Sequence, residues 1–206
     1  MPSLMIMIMD YGVGNVRSLA KAVETLGFTA RISSAKADLD VADCVILPGQ
    51  GAFAEAMYNL EARELADPIR DYVREGRKFL GICVGHQMLF DSSEENGTHA
   101  GLGLFRGHVA SLAPTGVRVP HMGWNQLKIQ QDPGLVFAGL EEAPFVYFAN
   151  TYAVLAADPS VVSATTDYGL PFVSVIQGPH LLATQFHPEK SGRVGMTMLK
   201  NFLRSV

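Results

Sequence analysis

The sequence predicts an α/β fold with a mostly parallel central sheet, helices on both faces and antiparallel strands added in the C-terminal half. In the first half, short apolar runs alternate with helical patterns across short connections, as in parallel sheets covered on both faces. In the second half, short apolar runs are separated by turn residues, a spacing typical of antiparallel hairpins. The 206 residues show no linker or repeat, so we expect one domain over 1–206.

The N-terminal elements follow one another in regular order. Apolar residues three and four apart from Val16 to Leu26 predict an amphipathic helix that stops at Gly27. A buried strand is predicted at 4–9, further strands at 29–33, 45–47 and 79–82, and further helices at 52–59, 66–74 and 87–90. In the second half, strands are predicted at 109–112, 125–129, 145–148, 161–165, 172–176 and 181–184, with a closing helix at 194–203.

Composition excludes several classes of protein. With 48% hydrophobic and 17% charged residues, the chain is neither disordered nor a coiled coil. The net charge of −4 and the lack of a basic stripe argue against a nucleic-acid partner, and no apolar stretch is long enough to span a membrane. Two cysteines without metal-ligand spacing indicate a reducing, cytoplasmic setting, and we expect neither a metal nor an organic cofactor.

The strongest local signal surrounds Cys83. An apolar strand runs into Gly-x-Cys-x-Gly at 81–85 and then into a helical pattern, the arrangement of a nucleophile elbow with sulfur in place of oxygen. A helix N-terminus favours the thiolate, and the backbone N–H of Val84 would face an oxyanion. The alternative is a cysteine that only packs, which suits Cys44 within its apolar run better than Cys83 with its two glycines.

A thiol nucleophile needs a base, and His187 is the best candidate. It directly follows the apolar strand 181–184, and Pro188 ends that strand and fixes the turn. Glu189 can then accept the second imidazole N–H and set the tautomer. Taken alone, a His-x-Glu pair would more often be a solvated surface pair.

A glycine-containing strand end at Gly49, Gln50 and Gly51 is the third element. Such a loop exposes backbone N–H groups near a helix N-terminus and suits an oxyanion, although an ordinary strand-to-helix turn is the alternative. A dinucleotide-binding fingerprint fails because position 54 is alanine.

Together, GICVGHQ at 81–87 and FHPE at 186–189 resemble the class I, or triad, glutamine amidotransferases. Within that family, DYGVGN at 10–15, PHMGWN at 120–125 and PEKS at 188–191 look like the glutaminase subunits of imidazole glycerol phosphate synthases. The likeness covers essentially the whole chain and implies a flavodoxin-like fold. Gln50, His86 and Asn150 depart from the commoner family residues.

The resemblance implies a role for each matched position. Cys83 is the nucleophile, His187 the base and then acid, and Glu189 the residue that orients it, while Val84 and the 49–51 loop form the oxyanion hole. The positions that hold substrate glutamine are Gly51, Gln87, Glu95, Thr151 and Tyr152. A carboxylate such as Glu95 suits the substrate's α-ammonium group. The positions at or near a partner interface are Asn15, Met122, Trp124, Asn125, Tyr147 and Lys190.

The implied activity is glutamine hydrolysis through a thioester, with ammonia passing to a (β/α)8-barrel cyclase in histidine biosynthesis. Glutaminases that feed another barrel, in pyridoxal phosphate synthesis or surface-sugar amidination, are the nearest alternatives. A cysteine peptidase or chaperone-like hydrolase lacks the FHPE ending, and the intact triad argues against a non-catalytic interaction module. Trp124, the only tryptophan, could instead fill the core.

Overall fold

Alternating strands and helices form the first half of the structure, a computed structural model that describes residues 4–130 and 134–205. In chain order they are β1 (Met5–Met9), α1 (Val16–Thr25), β2 (Thr29–Ser33), α2 (Ala37–Val41), β3 (Cys44–Leu47), α3 (Phe53–Ala62), α4 (Ala66–Arg74), β4 (Lys78–Ile82) and α5 (Val84–Gln87). The predicted strands and first three helices are confirmed, with ends shifted by up to three residues. The helix predicted at 87–90 is wrong, because α5 ends at Gln87 and the next strand begins at Phe90.

Strands dominate the second half, as predicted. In chain order the elements are β5 (Phe90–Ser93), β6 (His99–Ala100), β7 (Phe105–Ser111), β8 (His121–Gln126), β9 (Lys128–Ile129), β10 (Phe145–Asn150), β11 (Tyr152–Ala157), β12 (Val162–Tyr168), β13 (Leu170–Gln177), β14 (Leu181–Thr184) and α6 (Gly192–Arg204). The single strand predicted at 125–129 is wrong. It is interrupted at Leu127, which is buried and donates its N–H to Pro144 O at 3.0 Å, so β8 and β9 enter different sheets.

The parallel half of the sheet has the order β2-β1-β3-β4-β14. The chain moves outward one way from β1 to β2 and the opposite way from β3 to β4. Because such crossovers are right-handed, α1 and the pair α3–α4 cover opposite faces. Both faces of β3 are therefore buried, which explains its uninterrupted apolar sequence.

The antiparallel extension begins at β14. From there the sheet continues through β13, β11, β7, β5 and β6, while β12 pairs with β13 and β9. Within this extension β5 and β7 are parallel to each other. Strands β8 and β10 form a separate two-stranded antiparallel sheet. None of the helices in the described part of the chain has both the length and the apolar character needed to cross a membrane.

Three neighbouring parallel strands end at the same edge of the sheet. Leu47 at the end of β3 pairs with Gly81 of β4, and Ile82 of β4 pairs with Thr184 of β14. The segments that follow these strands carry residues 48–51, Cys83 and 185–189. The sheet thus brings together three stretches far apart in sequence, at the edge where open α/β sheets bind ligands.

Candidate active site

Cys83 stands at a sharp turn between β4 and α5. Its backbone has φ +57° and ψ −111°, a conformation that residues other than glycine rarely adopt. The Cys83 N–H donates to Thr184 O at 2.8 Å, and Cys83 O accepts from His86 and Gln87 in α5. The predicted elbow is present, with the thiol at a helix start.

Close backbone packing explains the glycines around the elbow. A Cβ atom on Gly85 would lie 2.0 Å from Leu47 O, and one on Gly49 would lie 2.5 Å from Gly85 N. The 49–51 loop is therefore stacked directly on the first turn of α5. Any side chain at either glycine would push the loop away from Cys83.

The side chain of His187 contacts Glu189 and faces the cavity that Cys83 also lines. Its Nδ1 lies 3.0 Å from Glu189 Oε1. The side chains of His187 and Glu189 are only 4% and 6% exposed. The backbone is fixed as well, since His187 N donates to Tyr147 O at 3.2 Å and His187 O accepts from Ser191 Oγ at 2.7 Å. The three predicted catalytic side chains form one connected, buried line.

Burial by itself lowers the pKa of His187, because it disfavours the charged imidazolium. The hydrogen bonds and negative charges of Cys83 and Glu189 outweigh burial and raise this pKa to about 9. The ring is therefore protonated at neutral pH when it faces a thiolate. This is the ion pair that cysteine–histidine nucleophiles use.

A cavity of about 350 Å³ opens over this line of residues. All five predicted substrate positions line it, as do Cys83, His187, Gln50, Val84, Lys190 and Asn150. Gly49 does not line it, because its backbone is packed beneath the loop against Val84 and Gly85. The N–H of Val84 opens α5, where first-turn amides have no acceptor within the helix.

Glu95 reaches the cavity from the segment after β5. Its Oε2 accepts from the N–H of Phe53, the first residue of α3, at 2.8 Å. This bond to the N-terminus of the helix fixes the direction of the carboxylate. Glu95 is thus a held negative charge at the cavity wall.

Two residues that sequence reasoning missed support the site. Tyr11 is buried and donates its hydroxyl to Pro48 O at 2.6 Å, just before the 49–51 loop. Burial, and to a smaller extent Cys83, raises the pKa of Tyr11, so the hydroxyl keeps its proton. Gln185 is fully buried beside Cys83 and Gln87. Tyr11 lies within the DYGVGN motif and Gln185 directly precedes FHPE, and these positions are the only signals for the two residues in the sequence.

The apolar face of the β8–β10 sheet is exposed, and we call it the docking face. It consists of Met122, Trp124, Phe145 and Tyr147. Met122, Trp124 and Phe145 are 68%, 54% and 52% exposed, and the Trp124 ring meets the Tyr147 ring edge to face. Trp124 therefore does not fill the core.

The other predicted interface residues differ in surroundings. Asn125 points to the opposite side of β8, where its Nδ2 donates to Asp167 O at 3.0 Å, so its side chain is not on the docking face. Asn15 is exposed and its Oδ1 caps α1 by accepting from Ser18 N. Lys190 is exposed at the mouth of the cavity.

A family model described as glutamine amidotransferase class-I matches residues 7–206. The chain is 47% identical over 198 residues to the imidazole glycerol phosphate synthase subunit HisH of Aquifex aeolicus, covering 96% of this chain and 95% of that protein. It is 47% identical over 204 residues to the HisH subunit of Syntrophotalea carbinolica, covering 96% and 98%.

Solved structures share the fold at low identity. A crystal structure of a glutamine amidotransferase superposes with a TM-score of 0.75 at 21% identity, covering 97% of both chains. The structure of PurLQS from Thermotoga maritima gives a TM-score of 0.74 at 18% identity, covering 98% of both chains.

Proposed function

The chain belongs to the class-I glutamine amidotransferase family, and on that premise we propose that it is the glutaminase subunit of an imidazole glycerol phosphate synthase. It hydrolyses L-glutamine and passes the ammonia to a cyclase subunit in histidine biosynthesis. The observation that carries the proposal is the connected line Cys83–His187–Glu189, which opens onto a cavity lined by all the expected glutamine-binding positions.

The first half-reaction forms a thioester. The Cys83 thiolate attacks the side-chain carbonyl carbon of glutamine, and the carbonyl oxygen gains negative charge next to the Val84 N–H. His187, protonated at the start, gives its proton to the departing nitrogen. The C–N bond breaks, ammonia leaves, and a γ-glutamyl thioester stays on Cys83.

Water completes the reaction. His187, now neutral, takes a proton from water, whose oxygen attacks the thioester carbonyl carbon. The C–S bond breaks, glutamate is released, and the thiolate and imidazolium are restored. Glu189 accepts from His187 Nδ1 throughout, which orients the ring and stabilises its positive charge.

The opposite end of the substrate is bound by charge. Glu95, held by the N-terminus of α3, attracts the α-ammonium group of glutamine, and the amide of Gln87 lies in the same wall. These contacts place the substrate's side chain over Cys83. Glutamine is thereby favoured over amides that have no α-amino group.

The partner binds the docking face. Exposed aromatic and Met side chains are the residues that protein interfaces favour, and the exposed Lys190 lines the cavity. We assign the partner to the (β/α)8-barrel cyclase class, whose barrel accepts ammonia from a cavity docked against its end. Ammonia then has a protected route, which an isolated glutaminase does not need.

Cys83→Ala, assayed in the purified complex, tests this function. We expect glutamine-dependent synthesis to be lost while synthesis from added ammonium salt continues at the wild-type rate. The isolated wild-type chain should hydrolyse glutamine slowly and faster with its partner. Loss of both the glutamine-dependent and the ammonia-dependent activity in Cys83→Ala, or a fast glutaminase that ignores the partner, would contradict the proposal.

A further inference from the structure

Gln185 lies at the junction of β14 and the catalytic segment, and the role inferred for it rests on the proposed glutaminase function. Its side chain is fully buried, and its backbone N–H donates to Ser174 O at 2.9 Å, which extends the β13–β14 pairing. The sheet therefore fixes the position from which this amide side chain extends. The Gln185 side chain does not only pack in the core, because its amide also contacts the sulfur of Cys83.

The carbonyl of Tyr152 determines how two amides are oriented. A carbonyl oxygen can only accept, so the atom of Gln87 that lies 2.9 Å from Tyr152 O is the donor Nε2. The same Nε2 lies 3.0 Å from the Gln185 side chain, so the atom facing it there is the acceptor Oε1. Gln185 Nε2 must then point the other way, and it lies 3.8 Å from Cys83 Sγ.

We call the hydrogen bond between the Gln87 and Gln185 side chains the bridge. It directs Gln87 Oε1 to one side and Gln185 Nε2 to the other. Both N–H groups of Gln87 Nε2 are used, so its Oε1 remains as an acceptor in a side chain that lines the cavity. An acceptor there is complementary to the α-ammonium group of glutamine, as is the carboxylate of Glu95. On the other side, Gln185 offers an N–H to the sulfur, and such donation favours the thiolate.

We propose that Gln185 is a positioning residue that joins the nucleophile to substrate recognition: one amide donates to the Cys83 sulfur and keeps Gln87 turned with its oxygen toward the substrate. The bridge is short and buried, so neither amide can rotate without leaving a polar group unpaired, which is costly. The same pair of amides therefore determines both the activation of the thiol and the recognition of glutamine.

The titratable side chains around the sulfur stay the same when the neutral Gln185 is replaced, which makes the effect of a neutral donor measurable. His187 faces Cys83 from the segment after β14, and Tyr11 faces it from the segment after β1 as a neutral phenol. Glu95 and Lys190 line the same cavity. A Gln185 substitution changes none of these charges.

Gln185→Met tests the bridge, since Met has a similar length and removes both hydrogen bonds. We expect carbamidomethylation of Cys83 by iodoacetamide at pH 7 to slow about fivefold and its pH midpoint to move to higher pH. We also expect KM for glutamine to rise about tenfold, more than kcat falls.

Two further variants separate the bridge from a general loss of packing. Thr166→Val breaks the buried Ser174 Oγ to Thr166 Oγ1 bond of 2.7 Å between β12 and β13. Neither residue lines the cavity, so KM and alkylation should stay at wild-type values even though Ser174 pairs with the backbone of Gln185. Gln87→Met should raise KM but leave the alkylation rate within about twofold, because Gln185 keeps its bond to the sulfur.

A measurement on the wild-type chain avoids any folding defect. The side-chain amide NMR signals of Gln185 should shift when Cys83 is carbamidomethylated, whereas those of exposed Gln126 should not. Unchanged signals, or a folded Gln185→Met with wild-type KM and alkylation profile, would overturn the proposal. A wild-type chain without glutaminase activity would instead overturn the function itself, so the two failures are distinguishable.

Discussion

The proposed catalytic side chains and the docking face have opposite structural properties. The side chains of Cys83, His187 and Glu189 are buried and each is held by named hydrogen bonds, whereas Met122, Trp124 and Phe145 are apolar and more than half exposed. A site for chemistry needs fixed geometry and exclusion of water, while a docking surface needs accessible apolar area. The difference matches the proposed function, in which the chain carries its catalytic groups complete and a second protein covers the docking face.

The two regions are nevertheless joined through β10. Tyr147, on the docking face, accepts from His187 N at 3.2 Å and donates its own N–H to Ser191 Oγ at 3.0 Å. Asn150, at the other end of β10, lines the cavity. A partner seated on the docking face therefore touches the strand that holds the catalytic histidine. Substitutions in the two regions should still separate chemistry from association.

The largest expected effect comes from the catalytic side. His187→Asn removes the proposed base and acid, and we expect glutamine hydrolysis to fall by about 10⁴-fold. Affinity for the partner, measured by titration calorimetry, should stay within about threefold of wild type, because the docking face is unchanged. A large loss of affinity in this variant would mean that the two regions cannot be treated as separate.

On the docking side, Trp124→Ala should weaken association by about 2 kcal/mol, or about 30-fold in Kd, as expected for an aromatic hot spot. Glutamine hydrolysis by the isolated chain should be unchanged. Tyr58→Ala is the matched control, because Tyr58 is also an exposed aromatic residue but lies on α3, outside the β8–β10 sheet. Equal Kd values for wild type and Trp124→Ala would show that the partner binds a different part of the surface.

Acid stability sharpens the contrast, since it depends on groups whose pKa differs between the folded and the unfolded chain. Burial, the larger influence, lowers the pKa of His86 from 6.5 to about 3, so the unfolded chain takes up the proton first as pH falls. The stability due to neutral His86 is present above pH 6.5 and is lost as pH falls towards 3.

His86→Met should therefore lower the pH sensitivity of folding. Between about pH 7.5 and about pH 5.5 we expect the free energy of unfolding of the wild type to drop by about 1.4 kcal/mol more than that of the variant. Urea titrations at both pH values measure this difference. His121, whose pKa is lowered to about 4 by burial, contributes in the same direction in both proteins and cancels. Parallel pH profiles would show that His86 is not the neutral, buried group described.

The smallest expected effect concerns the oxyanion loop. Tyr11→Phe removes only the hydroxyl that donates to Pro48 O, and we expect kcat to fall about fivefold, equivalent to about 1 kcal/mol, with KM nearly unchanged. Thr25→Val, which removes an exposed hydroxyl that bonds Lys21 O in α1, is the control. An unchanged kcat would show that the loop does not need this anchor.

Local patterns explain which features the sequence could predict. The elbow was predictable because a strand, two glycines and a helix start within five residues require one backbone geometry. The position of His187 followed from strand order, since β14 ends beside β4. In both cases the physical cause lies in neighbouring residues or in a general rule of parallel sheets.

The remaining features depend on contacts between distant residues. Gln185 meets Gln87 and Cys83 across 98 and 102 residues, and no local pattern distinguishes it from a packed strand end. Asn125 was assigned to the interface beside Trp124, but strand alternation turns its side chain to the opposite face. The break at Leu127 was missed because an apolar residue between two strands looks like a continuous strand.

Covalent labelling with an electrophilic glutamine analogue, a diazoketone, tests the central claim most directly. We expect one adduct per chain, mapped by mass spectrometry to Cys83, with glutamine protecting and His187→Asn strongly slowing the reaction. Labelling of buried Cys44, or an active enzyme that stays unlabelled at Cys83, would contradict the assignment of Cys83 as the nucleophile.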